Sequence, residues 1–198
     1  MHLLARINPT RQDAFPSHAG NGSSVPELDK LFFKNDCLYK HNVMRINYTT
    51  YDVRRAQDII NPNTDHQDVM LLQHVDSDLA DHQYVYARVL GIYHVNVIYT
   101  GGSLPDYKAQ RMEFLWVRWF TNVTDEPVHR GWERQQLDHL QLLPVNYDGA
   151  FGFVDPTNVL RGAHLIPRFV EGKQHPEGKG ISKCAQDSKD WCQYCVNW

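Results

Sequence analysis

The sequence lacks the signals that usually name a chemistry. It holds no G-x-S-x-G elbow, no P-loop and no G-x-G-x-x-G turn, so no serine nucleophile, phosphate cradle or dinucleotide site is nominated. It lacks a basic excess too. The formal net charge of −3 argues against a globally basic nucleic-acid binder and leaves room only for a local basic patch. No apolar run is long enough to span a bilayer, and no charged-then-apolar leader with a cleavage site is found. The expectation is an intracellular protein without membrane contact, in which the sequons at Asn47 and Asn122 are chance matches. Cysteine is scarce: there are four, three of them crowded near the C-terminus. In a reducing compartment they make no disulfide framework. There is no internal repeat.

What is present is β-strand pattern. The organising stretch runs from Tyr84 to Phe120. From Val85 the odd positions are Val85, Ala87, Val89, Gly91, Tyr93, Val95, Val97 and Tyr99. Period-2 placement of β-branched and aromatic side chains is what one buried sheet face requires. Strands are mostly ~3–10 residues long, so Gly91 near the middle predicts a bend or bulge. A loop with Gly101-Gly102 and Pro105-Asp106 then leads to Glu113–Phe120, apolar on both faces apart from Arg118. That composition predicts a central strand covered on both sides.

The rest of the chain reads as shorter elements. Residues 1–30 are breakers and small polar residues without periodicity, which predicts a disordered tail. Order begins at Leu31-Phe32-Phe33. Met44, Ile46 and Tyr48 alternate with Arg45, Asn47 and Thr49, a half-buried strand. Arg54 to Ile60 is compatible with a short strand or one helical turn. Asn61–Thr64 is a turn, Val69–Leu72 a short strand, and His74–His82 an acidic surface loop. Further strands are predicted at Leu137–Leu143, from Phe151, and at His164–Phe169, the last at an edge because of Pro167. Asp155 as N-cap before Pro156 predicts a short helical turn ending near Gly162. Residues 171–180 read as a linker. Ala185, Ser188, Trp191, Cys192, Cys195 and Val196 recur at helical spacing, which predicts a C-terminal amphipathic helix. Many short strands between turns predict a mainly β, single curled barrel over residues 31–170.

No catalytic constellation assembles from these residues. Asp76, Asp78 and Asp81 supply carboxylates, but in a loop, where solvated charge is the ordinary reading. A metal-dependent nuclease or accessory hydrolase would need them to converge with His66, His74 or His82, whose spacing fits no metal motif. Cys184, Cys192 and Cys195 form C-x7-C-x2-C, with only one close pair where structural zinc wants two. No metal or other cofactor is expected. Arg45, Arg54, Arg55, Arg88, Arg111 and Arg118 lie near aromatic residues, the footprint of phosphate or single-strand binding and equally of packing on a barrel rim.

Five segments carry a resemblance: Leu31–Asp36, Asn47–Asp58, Tyr86–Val97, Phe114–Trp119 and Ala150–Pro156. Together they resemble a family of uncharacterised proteins of mushroom-forming (basidiomycete) fungi associated with cut-and-paste transposon sequences. In that family the chain continues past the position of Trp198. The order of an Ala-Arg-Val-Leu strand, Phe-Leu-Trp-Val-Arg-Trp-Phe and Phe-Val-Asp-Pro is also similar in kind to SH3-like and bromo-adjacent homology (BAH) β-barrels, and to a β domain that follows the catalytic region in some plant transposases. The resemblance implies a non-catalytic interaction module, nuclear in location, that binds DNA, chromatin or a protein partner. Its contact surface is expected at Tyr48, Arg54, Arg55, Tyr93, Arg118 and Trp132. The nuclease or hydrolase reading, and an inactive remnant of a mobile element, are the alternatives.

Overall fold

The computed structural model describes residues 30–50, 55–72, 84–100, 106–123 and 138–197. The expected disordered tail therefore lies outside the described residues, save Lys30. Two strands dominate: β5 (Tyr84–Tyr99) and β6 (Asp106–Asn122). They pair antiparallel, with Ala87 opposite Trp119 and Asn96 opposite Arg111. The register slips between Val89 and Gly91, so the glycine marks the irregularity that its position predicted. A Cβ there would sit 2.3 Å from the Tyr93 ring.

Because both strands are long, each carries two partners along its outer edge. β5 takes β4 (Asp68–Leu72) on its first half and β1 (Leu31–His41) on its second. β6 takes β8 (Phe151–Val154), then β7 (His139–Leu142). Beyond these lie β9 (Val159–Gly162) on β4, and β11 (Tyr194–Asn197) between β7 and β10 (His164–Pro167). The result is a nine-stranded sheet with β10 at one end and β9 at the other.

This sheet curls without closing, which corrects the expected barrel. β9 and β10 are its two ends and no ladder joins them, although only Ala163 separates them in the chain. The Ala163 amide donates to the Asp68 carbonyl at 2.8 Å. β2 (Met44–Thr49) and β3 (Arg55–Ile60) form a separate two-stranded ribbon.

The expected C-terminal helix is also absent. Gln186 takes a left-handed backbone (φ 54°), Asp187–Lys189 make one 3-10 turn, and the chain then runs extended as β11. The expected linker is tied in as well: the Gln174 amide donates to the Asp190 carbonyl and the Cys192 amide to the Gly172 carbonyl. The turn after Asp155 forms as its capping residues predict, with the Asp155 side chain accepting from the Thr157 amide, but it ends at Asn158 and passes straight into β9.

Both faces of β4–β5–β6 are covered, as the two-sided apolar pattern of β6 requires. On one face Val69, Ala87, Val89, Leu115 and Val117 meet Ile60, Met44 and Ile46 of the ribbon. On the other, Tyr86 and Phe120 meet Leu140, Leu142, Tyr194 and Val196. A third cluster, built on Val95, Val97 and Phe114, holds the far end of the β1–β5–β6 sheet.

β1 is the exposed margin. Between Phe33 and Leu38 its register shifts, and Asn35 and Asp36 take positive φ (60° and 48°), which these two residue types tolerate best after glycine. The bulge, with Lys34 and Lys40 beside it, blunts the strand edge against further pairing. At the other end Tyr39 stacks on His94 at 4.6 Å, and His41 Nε2 lies 2.6 Å from His94 Nδ1. Such a contact needs one ring to donate and the other to accept, so it fails when both are charged.

Burial and the neighbouring Arg111 and His41 lower the proton affinity of His94, and Glu113 only partly compensates. A histidine whose affinity is lower folded than unfolded contributes stability above its ordinary range near pH ~6.5, and that contribution fades as pH falls. Acidification from about pH 7.5 to about pH 5 should therefore lower the protection of the Tyr39 and His41 amides relative to their intrinsic exchange rates at each pH, and His94→Gln should flatten that dependence. Equal protection at both pH values would show that the pair does not hold β1.

Candidate nucleic-acid interface

Two arginines of the long strands, Arg88 and Arg118, are consumed internally. The β5–β6 register sets Arg88 opposite Arg118 on the face that packs against β7 and β11. Asp190, fully buried, is wedged between them: Arg88 Nη1 donates to its Oδ1 at 2.9 Å and Arg118 Nη1 to its Oδ2 at 2.5 Å. Arg88 Nε also donates to Asp68 at 2.9 Å, and Arg118 donates twice to the Leu143 carbonyl, at 2.9 and 2.8 Å. Two guanidiniums and two carboxylates leave no net charge. Burial works against the Arg88 cation, but Asp68 beside it more than offsets this and holds its pKa above the ordinary value. Burial pushes the Asp190 carboxyl up, against the pull of both arginines. Arg118, expected on a contact surface, is thus a fully buried structural cation that no ligand can reach.

The other expected contact residues separate. Tyr93 is half-buried, its ring stacked on Phe114 at 5.6 Å. Tyr48 faces inward from β2, with the Arg161 guanidinium 4.1 Å from its ring centre. Arg54 and Trp132 lie outside the described residues, as do His74, Asp76, Asp78, Asp81 and His82. Arg55 alone of the six is placed on an open face.

That open face is the outer side of the β2–β3 ribbon. Alternation along β2 turns Met44, Ile46 and Tyr48 inward and leaves Arg45, Asn47 and Thr49 exposed. The pairing then sets Arg45 beside Ile59, Asn47 beside Gln57, and Thr49 beside Arg55. The outward surface is therefore two arginines at diagonally opposite ends, a pair of amides between them, one hydroxyl and one aliphatic side chain. Among the described residues it carries no carboxylate. The one acid of the ribbon, Asp58, turns inward, where it accepts from the Gly162 amide at 3.0 Å and lies 3.5 Å from Arg161. The same inward contacts tie the ribbon to β9.

No family model, curated protein or solved structure matches this chain.

Among the described residues no three histidine, cysteine or acidic side chains are placed to hold a metal ion. Cys184 and Cys192 are exposed and Cys195 is half-buried in β11. Nor is any helix of the described residues long and apolar enough to cross a membrane. Sequence reasoning missed Asn47, Thr49 and Gln57. The alternation in β2 already put Arg45, Asn47 and Thr49 on one side, but the strand at Arg55–Ile60 had no clear phase, and only the cross-strand register unites the two halves.

Proposed function

We propose that this chain is a non-catalytic interaction module that binds nucleic acid through the outer face of β2–β3. The observation that carries the reading is an exposed strand face with Arg45 and Arg55 and, among the described residues, no acid, on a protein whose net charge is negative. Phosphate is the ligand chemistry that such a local cationic patch recognises, and amide and hydroxyl groups beside it add hydrogen bonds. The resemblance to a transposon-associated fungal family supports the same reading, with a nuclear location and a role in a larger DNA-handling protein.

The test is fluorescence anisotropy with a labelled duplex over a series of salt concentrations. Arg45→Ala with Arg55→Ala should weaken binding by about tenfold and reduce the salt slope by roughly 2. Melting should be almost unchanged, because both side chains are exposed. Unchanged affinity and slope would remove the face from consideration.

A protein partner is the second reading, favoured by the exposed Phe32, Phe33, Leu38 and Tyr39 on β1. It predicts binding to a histone or other peptide that Phe33→Ser abolishes and the arginine pair does not affect.

A further inference from the structure

We propose that the β2–β3 ribbon enters the major groove of duplex DNA and that the Asn47–Gln57 amide pair reads an adenine edge there. This deepens the reading above and rests on it. A single strand is held by bases stacked on aromatic rings. Among the described residues the outer face of the ribbon has none, since Tyr48 is turned inward under Arg161. A two-stranded ribbon does fit the major groove of B-DNA, about 12 Å wide. The major groove of an RNA duplex is too narrow to admit side chains.

The residues fall where groove reading needs them. Gln57 Nε2 donates to Asn47 Oδ1 at 2.8 Å, at the centre of the face. Gln57 Oε1 is left as an acceptor and Asn47 Nδ2 as a donor. Adenine presents N6–H as donor and N7 as acceptor in the major groove, the complement of that pair, whereas guanine presents two acceptors. The cross-strand bond already holds both amides, so less side-chain freedom is lost on binding. Arg45 and the position opposite Arg55 are four residues apart along β2. That is about 13 Å at strand rise, which sets one guanidinium to each side of the amides for backbone phosphates. Ile59, half exposed beside Arg45, supplies an apolar contact for a thymine methyl.

The experiment compares anisotropy on an A·T-rich duplex, a G·C-rich duplex of the same length, the A·T-rich duplex with 7-deaza-adenine, and the A·T-rich single strand. The A·T-rich duplex should bind about tenfold tighter than the G·C-rich one. Removing N7 should erase that preference. Asn47→Ala with Gln57→Ala should erase it as well, while leaving the salt slope, which the arginines set, unchanged. An A·T preference that survives 7-deaza-adenine, or the amide variant, overturns the inference, as does tighter binding to the single strand. If the arginine variant weakens duplex binding and the amide variant leaves the A·T preference intact, only the adenine reading falls. If no nucleic acid binds the wild-type chain, both readings fall.

Discussion

Asp190→Ala is expected to lower the unfolding free energy by about 3–5 kcal/mol, the usual cost of removing one partner of a buried ion pair. The physical reason is the state it leaves behind. Arg88 and Arg118 share this one carboxylate in a site closed to water. Without it Arg88 keeps Asp68, but Arg118 retains only the Leu143 carbonyl, a dipole in place of a charge. A buried cation compensated in that way is strongly unfavourable. The melting temperature should drop by roughly 6–20 °C, taking ~2–4 °C per kcal/mol for a chain of this size. Asp190→Asn should fall between the variant and wild type, since its oxygen accepts from one arginine while its amide nitrogen faces the other. Urea unfolding of the three proteins decides the matter. A loss below about 1 kcal/mol would mean that the network relaxes when its centre is removed.

Phe114→Ala is expected to cost a similar amount, about 3–5 kcal/mol, through a different mechanism. Phe114 is almost fully buried. Its ring stacks on Tyr93 and meets Phe153 edge-on, each at 5.6 Å. It is the largest member of the small cluster that supports the far half of β5 and β6, so truncation leaves a cavity that few neighbours can fill. The damage should also be local. Hydrogen exchange along β1 and the second half of β5 should accelerate more than exchange in β4 or β7. Uniform acceleration would show that the far half unfolds only with the whole sheet.

The dominant strands were legible because their information is local. Alternating valines and tyrosines from Val85, Gly91 at the register slip, and Asp155-Pro156 opening a turn each act within a few residues. Three readings failed where distant residues decide. Arg118 looked like a rim or contact residue because its counter-charge, Asp190, lies 72 positions later. The helical spacing from Ala185 to Val196 lost to tertiary context: Asp190 is drawn between two arginines, and the backbone after it pairs with β7 and β10. Barrel closure was illegible for the same reason, since whether two end strands pair is settled by the curvature of the whole sheet. The candidate interface was half legible. The polar side of β2 was visible in its alternation, but which residues of the neighbouring strand share that side depends on register.

Ala163 gives the architecture an unusual mechanical character. The two margins of the curled sheet are consecutive pieces of one chain, so a single residue works as the stitch between them. Lengthening that stitch with a flexible insert would let the margins drift apart without removing any side chain from the interior. That short seam, with the Ala163 amide bonded to the Asp68 carbonyl, ties the ends of an unclosed sheet to each other.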